Sequence, residues 1–179
     1  MVVFLVNDTE PYEIIITDKF NAVIKGNNYK LFPQVIEEFR IYAEHIVNFY
    51  DAKNNLVKSY PKKSLLKISI DDIEPSQFYI DINKMNALKN FIKSEEDVII
   101  PVLKHGDKYI CLDGYTRLMI AHLSDIKNIY AFKTSSEGFI YDFIKEAQSR
   151  DIFHIRDLQI LSHDDYIKKW YSYCDEYFG

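Results

Sequence analysis

The sequence predicts an α/β fold of the α+β type, on the strength of three observations. Apolar and polar side chains alternate in several short segments, which is typical of half-buried strands. In other segments apolar residues recur every three or four positions, which is typical of amphipathic helices. Finally, 47% of the 179 residues are hydrophobic and 15% are aromatic, which excludes a disordered chain and supports a sizeable core.

Residues 1–64 predict a β-rich N-terminal extension. Its expected strands are Val2–Val6 and Tyr12–Thr17 around the turn Asn7–Pro11, then a hairpin of His45–Tyr50 and Leu56–Tyr60 around the loop Asp51–Asn55. Between them, Pro33–Ile46 fits a helix that begins at its proline, and we favour that interpretation. The alternation of Phe39, Ile41 and Ala43 also fits a strand.

Residues 65–134 predict a second region in which strands and helices alternate. In order we expect the strand Leu66–Ile70, the turn Asp71–Gln77, a helix from Ile82 to about Lys93 capped by Asp81, a hairpin of Ile99–Leu103 and Tyr109–Leu112, a helix over Leu118–Leu123 and the strand Ile129–Phe132. This order brings a sharp turn, Asp113–Arg117, directly before a helix.

Residues 135–179 predict a helical C-terminal cap. Phe139, Phe143 and Ala147 fall on one apolar stripe, and Ser162 can cap a last helix. That helix carries the aromatic segment Trp170–Tyr173, which could stack on nucleic-acid bases. Aromatic residues at helical spacing are more often core residues, and we expect core packing here.

Charge argues against nucleic acid as the main partner. The formal net charge is −5, and residues 135–179 carry five Lys or Arg against nine Asp or Glu. No segment has the basic excess that phosphate binding along a nucleic acid requires. The sequence makes no prediction of oligomeric state.

Several common functional classes lack their signatures. Cys111 and Cys174 form no metal or disulfide spacing, and the five histidines show no zinc pattern. The P-loop, Rossmann and nucleophile-elbow motifs are missing. No uncharged apolar run approaches about 18 residues and no leader is recognisable, so we expect a cytoplasmic protein without a membrane partner.

The turn Asp113–Arg117 is the segment most suggestive of chemistry. Gly114 permits a tight strand-to-helix turn, and the amides of Tyr115, Thr116 and Arg117 would then point at one spot near the positive end of the helix. The Arg117 guanidinium could close on a phosphate there, and Asp113 could orient a hydroxyl or hold Mg²⁺ through water. Alternatively, Asp113 only caps the helix and Arg117 pairs with a surface carboxylate.

Three segments resemble the ParB N-terminal/sulfiredoxin-like superfamily, whose mark is a D-G-x-x-R turn. They are the loop Ile70–Gln77, the strand Ile99–Val102 and the run Tyr109–Arg117, followed by Ala121. The resemblance covers roughly Leu66 to Phe132. The family includes DNA-bound, nucleotide-binding partition proteins, sulfiredoxins and free-serine kinases, so a shared fold does not select the reaction.

Departures from the family pattern narrow the range of activities that we expect. Sulfiredoxins carry a catalytic cysteine inside the turn, where this chain has Tyr115, and its Cys111 falls within the preceding strand. Partition proteins continue into a basic helix-turn-helix, whereas residues 135–179 are acidic. The free-serine kinases have His at the position of Tyr115 and a catalytic glutamate nearest to Gln77. Because a glutamine cannot act as a base, Glu74 is the candidate substitute.

The resemblance therefore implies a protein that binds ATP or ADP, with Mg²⁺ as a possible cofactor. Gly114, Tyr115 and Thr116 would supply backbone donors, and Arg117 would stabilise phosphate charge. Asp113, with Glu74 or Gln77, would orient a small hydroxyl acceptor such as free serine. The alternative is a non-catalytic interaction or DNA-associated module, which Gln77 and Tyr115 both favour.

Overall fold

The computed structural model describes residues 2–6, 10–40 and 43–179. It contains mixed strands and helices, which confirms the predicted α+β class. The chain divides into two compact units, one up to Leu65 and one from Leu66 to Gly179.

In its described residues, the first unit is a five-stranded sheet with one α-helix. Its strands are β1 (Val2–Val6), β2 (Glu10–Ile16), β3 (Asn21–Lys25), β4 (Asn48–Tyr50) and β5 (Leu56–Ser59), and they neighbour one another in that order. The predicted pairing of the first two strands and the predicted β4–β5 hairpin are confirmed. Strand β3 was not predicted. Most of the predicted turn Asn7–Pro11 lies outside the described residues.

Helix α1 (Phe32–Arg40) confirms the helical interpretation of the ambiguous segment, although the helix is shorter than predicted. Its buried face consists of Phe32, Val35, Ile36 and Phe39. These side chains pack against buried sheet residues such as Ile14 and Phe49, and this cluster is the core of the first unit.

The second unit contains a five-stranded sheet and a separate two-stranded sheet. The strands are β6 (Leu65–Ser69), β7 (Ile73–Glu74), β8 (Tyr79–Asp81), β9 (Ile99–His105), β10 (Lys108–Cys111), β11 (Asn128–Lys133) and β12 (Gln159–Leu161). The larger sheet has the order β6-β11-β9-β10-β7, and β8 pairs with β12 in parallel. The β9–β10 hairpin is confirmed, whereas the short strands β7, β8 and β12 were not predicted.

The second unit also contains five α-helices. They are α2 (Ile82–Leu88), α3 (Tyr115–Leu123), α4 (Ile140–Ser149), α5 (His163–Tyr166) and α6 (Ser172–Phe178), the last two joined by the π-helical segment Ile167–Tyr171. Both predicted caps are confirmed, because the Asp81 side chain accepts from the Asn83 amide and the Ser162 side chain accepts from the Asp165 amide.

The two faces of the larger sheet carry different helices. Because side chains alternate along a strand, Ile110 and Cys111 point to opposite faces. Cys111 belongs to the main core with Leu118 of α3, whereas Ile110 packs with Ile140 and Ile144 of α4. Helix α3 therefore covers one face and α4 the other. The face to which a strand side chain belongs determines whether it can approach the start of α3.

The aromatic C-terminal segment packs inward only in part, because Trp170 and Tyr173 lie half-buried against the main core whereas Tyr171 is exposed. The Phe78 ring centroid lies 5.2 Å from that of Trp170 and 4.9 Å from that of Tyr173, both in edge-to-face contact. The stabilisation of such pairs comes from the burial of apolar area together with favourable ring geometry. These contacts hold the C-terminal helices on the second unit.

Candidate functional site

The start of α3 has the backbone geometry predicted for an anion site. Gly114 precedes the helix with φ of +100°, in the left-handed region. The Leu118 amide donates to the Gly114 carbonyl at 3.0 Å, which makes it the first amide bonded within the helix. The amides of Tyr115, Thr116 and Arg117 precede that bond and point out of the helix start.

The Arg117 side chain folds back over the turn. Its Nη1 donates to the Ile99 carbonyl at 2.8 Å, and its Nη2 donates to Oδ2 of Asp113 at 3.2 Å. Arg117 thus pairs with a carboxylate, as one alternative predicted, but that carboxylate is Asp113 itself. Asp113 makes no capping bond, because Gly114 occupies the cap position. A guanidinium has five N–H donors, so the two bonds leave three for a ligand.

Tyr115 has a structural role that sequence reasoning missed. Its side chain is buried, and its hydroxyl donates to the Cys111 carbonyl at 2.5 Å. The same hydroxyl accepts from the amide of buried Ser76 at 2.7 Å. Burial raises the pKa of this hydroxyl well above its usual range, so it stays protonated. Tyr115 therefore ties the loop after β7 to the end of β10.

Replacement of Tyr115 by phenylalanine should lower the free energy of unfolding by about 1–3 kcal/mol, because the buried Ser76 amide loses its acceptor. Urea unfolding followed by fluorescence of Trp170, the single tryptophan of the chain, measures the change. Tyr177→Phe is the matched control, since its hydroxyl binds Asp142 at the surface. Equal losses in the two variants would contradict the assigned role.

Cys111 is the residue that could have suggested sulfiredoxin chemistry. It is fully buried, and its thiol donates to the Asp113 carbonyl at 3.2 Å. Burial raises the pKa of the thiol far above its usual value, so it remains protonated and unreactive.

The structure does not bring Glu74 to the turn. Parallel pairing aligns Glu74 with Ile110, so its side chain belongs to the sheet face that α4 covers. Its carboxylate lies 2.6 Å from Nδ1 of His105, near the β9–β10 hairpin loop. Asp113 follows Ile110 by three residues, about 10 Å of extended chain. The role of Glu74 as a base stays a prediction, made from sequence order alone.

Gln77 makes its hydrogen bonds with residues other than Asp113. Its Nε2 donates to the Tyr79 carbonyl at 2.5 Å and lies 3.4 Å from the hydroxyl of Tyr166 in α5. In this arrangement Gln77 connects the loop after β7 to the C-terminal helices. Of the seven predicted residues, the structure brings Asp113, Gly114, Tyr115, Thr116 and Arg117 together at one turn and places Glu74 and Gln77 elsewhere.

Within residues 2–6, 10–40 and 43–179, no group of three or more His, Cys, Asp or Glu side chains is arranged to hold a metal ion. In the same described part of the chain, no helix is both long enough and apolar enough to cross a membrane.

Comparison with known proteins leaves the family open, since no family model matches the chain. Over 143 residues the chain is 26% identical to the putative ATP-dependent RNA helicase R366 of Acanthamoeba polyphaga mimivirus. That alignment covers 79% of this chain but only 8% of the viral protein. Protein Atu1540 from Agrobacterium tumefaciens matches with a TM-score of 0.38 and 16% identity, over 55% of this chain and 63% of Atu1540. This structural similarity is too low to assign a fold.

Proposed function

We propose that the chain binds ATP or ADP at the turn Asp113–Arg117 and transfers a phosphoryl group to a small hydroxyl compound such as free serine. The observation that carries this proposal is the start of α3. Gly114, in a left-handed conformation, begins a nine-residue helix whose first amides are unpaired within the helix. Such a helix start attracts phosphate through its amides and its dipole.

Arg117 supplies the positive charge that a phosphate needs at this position. Its guanidinium is held by the Ile99 carbonyl and Asp113, so it is already oriented before a ligand arrives. Pre-orientation lowers the entropy lost on binding. The remaining donors can form charge-assisted bonds to phosphate oxygens, which are stronger than neutral hydrogen bonds.

The name of the mimivirus relative, an ATP-dependent RNA helicase, supports nucleotide binding in general terms. The chain contains no G-x-x-x-x-G-K-[S/T] motif, so the site proposed here is of a different kind from a P-loop. Support for the turn therefore comes from its own geometry rather than from the relative.

Mg²⁺ fits this site only as a partner of the nucleotide. Asp113 offers one carboxylate, with 49% of its side chain exposed, and Mg²⁺ is commonly held by one or two carboxylates together with substrate phosphates. Asp113 would hold such an ion and orient the acceptor hydroxyl. Bound Mg²⁺ would neutralise charge that develops on the phosphates.

One observation favours a second candidate, a non-catalytic interaction or DNA-associated module. Both hydrogen bonds of Arg117 are made within the protein, so this side chain could serve as a structural brace for the turn. In that case the turn would stabilise the fold without holding a nucleotide.

Thermal unfolding with and without nucleotide separates the two candidates. At 100-fold excess over Kd, ADP or ATP should stabilise the protein by about 2.7 kcal/mol, which raises Tm by several degrees. ATP should gain more from added Mg²⁺ than ADP, since it offers more phosphate ligands. Unchanged Tm at millimolar ADP and ATP, with or without Mg²⁺, would favour the interaction module.

A further inference from the structure

Strand β1 lies at one edge of the sheet of the first unit. In the strand order β1-β2-β3-β4-β5 its neighbour is β2, and the two strands pair from Val2 with Ile14 to Val6 with Glu10. Within the described residues, the other side of β1 has no strand partner. Because a strand carries N–H and C=O groups along both sides, this side of β1 can pair with a further strand.

The sequence of β1 has none of the features that discourage such pairing. Charged residues, prolines and bulges are the usual means by which edge strands avoid the addition of another strand. The residues of β1 are Val-Val-Phe-Leu-Val, and their pairing with β2 runs without a shift in register. Valine and phenylalanine favour extended backbone, and uncharged segments of this kind associate readily as strands.

The strand at the opposite edge of the same sheet, β5, has two of these protective features. Its register with β4 shifts between Phe49 and Tyr50, which is typical of a bulge. It also carries Lys58, which is aligned with buried Phe49 and whose ammonium binds Glu37 of α1. A charge on the face that the helix covers opposes the pairing of an edge strand.

The edge strands of the second unit are either charged or very short. Strand β6 carries Lys67, which pairs with Glu95, and β7 has two residues, one of which is Glu74. Strands β8 and β12 have three residues each. Of the edge strands in residues 2–6, 10–40 and 43–179, β1 is the one that combines five residues with an entirely apolar sequence.

We propose that β1 pairs with β1 of a second copy of this chain, antiparallel and about a two-fold axis, so that two five-stranded sheets become one continuous sheet. With Phe4 at the axis, Val2 pairs with Val6 of the second copy and Val3 pairs with Leu5 of the second copy. Every pair in this register joins two apolar residues, and cross-strand pairs of aromatic and β-branched residues stabilise antiparallel strands. This inference is independent of the nucleotide site.

The character of β1 favours a second copy as its partner. The strand carries no charge that would select a partner of opposite charge, whereas a two-fold interface needs only one segment that is complementary to itself. The pairing also closes at two copies, because it occupies the open edge of each sheet and β5 is protected by its bulge and Lys58. The expected product is therefore a dimer rather than a fibre.

Sedimentation equilibrium of the full chain tests the proposal. One chain has a mass of 21.2 kDa, and the average mass should rise towards twice that value as the concentration increases. A mass that stays at one chain up to about 1 mM, a concentration that detects even weak association, would overturn the proposal. Masses well beyond two chains would also overturn it, because the proposed pairing is closed.

Charge substitutions in β1 test its register. Val3 and Leu5 are aligned with Glu13 and exposed Pro11, whereas Phe4 is aligned with buried Tyr12. A double variant, Val3→Lys with Leu5→Lys, places lysine opposite lysine and should be monomeric where wild type is dimeric. The variant with glutamate at both positions should also be monomeric. An equimolar mixture of the two should dimerise again, because each pair then joins opposite charges.

Leu56→Lys is the matched control, because Leu56 is 57% exposed on β5 at the other edge of the sheet. It should leave the average mass unchanged. Circular dichroism must show that each variant is folded. A dimer that persists in the double lysine variant, or a mixture of folded lysine and glutamate variants that stays monomeric, would overturn the proposal.

Hydrogen exchange on wild type gives a readout that needs no substitution. Exchange of the Val2–Val6 amides should slow as the concentration rises, whereas exchange of the Leu56–Ser59 amides should not change. Equal behaviour of the two strands would overturn the pairing through β1, even if a dimer forms. If the double variants do not fold, this comparison decides.

Discussion

Replacement of Arg117 by alanine should weaken ADP and ATP binding about 10–150-fold, because each charge-assisted hydrogen bond lost to phosphate is worth about 1.5–3 kcal/mol. Arg117→Lys should bind with intermediate affinity. Lysine restores the charge but not the planar fork that bonds two oxygens at once. Titration calorimetry with ADP and ATP on wild type and both variants measures the order of their affinities.

The same substitutions also report on the structural role of Arg117. The alanine variant loses the bonds to the Ile99 carbonyl and Asp113, so circular dichroism must show that it remains folded. Arg156→Ala is a suitable control, because it removes a half-exposed arginine paired with Asp71 at the surface and should leave affinity unchanged. Equal affinity in all variants would exclude Arg117 from the site. An unfolded alanine variant together with a wild type that does not bind would favour the interaction module.

Sequence patterns predicted the elements whose signals are local. The β9–β10 hairpin has two apolar strands around a polar, glycine-containing loop, and its turn chemistry lies within a few residues. The caps Asp81 and Ser162 need only their own side chain and an amide two or three residues later. The start of α3 is equally local, because a glycine at the end of a strand determines it.

Helix lengths were less predictable than helix positions. The apolar stripe that begins after Asp81 continues to Ile92, yet α2 ends at Leu88 and Ile92 is buried from a following turn. A turn and a helix place apolar residues at similar spacing, so the stripe alone does not mark where the helix ends. Three residues cannot show alternation clearly, which explains why β8 and β12 were also missed.

The side-chain environment of the site depends on contacts between distant segments. Glu74 and Gln77 follow the first strand of the second unit, but their hydrogen-bond partners depend on strand register and on the C-terminal helices. His163 and Asp81, which share a hydrogen bond, are 82 positions apart in the chain, and neither residue lies in a sequence motif that predicts their contact. Such pairs require knowledge of the strand pairing β8–β12, which the sequence pattern does not contain.

Gly114→Ala should lower the free energy of unfolding of the second unit by about 2–5 kcal/mol. Alanine in a left-handed conformation costs about 1–2 kcal/mol. A Cβ at this position would also lie 2.6 Å from Cγ2 of Ile100 and 2.9 Å from Nη2 of Arg117, and overpacking of this kind adds about 1–3 kcal/mol. Urea unfolding followed by Trp170 fluorescence measures the change.

Gly106→Ala separates the backbone cost from the steric cost. Gly106 also has a positive φ, of +56°, but a Cβ there would meet no described atom within 4 Å. The Gly106→Ala variant should therefore lose only about 1–2 kcal/mol of its free energy of unfolding. A larger loss at Gly114 would show that the Arg117 guanidinium and Ile100 fit closely around a bare α-carbon, which is the arrangement the anion site requires. Equal losses would mean that the glycine is needed only for its backbone conformation, and the turn would then lack the close packing that orients Arg117.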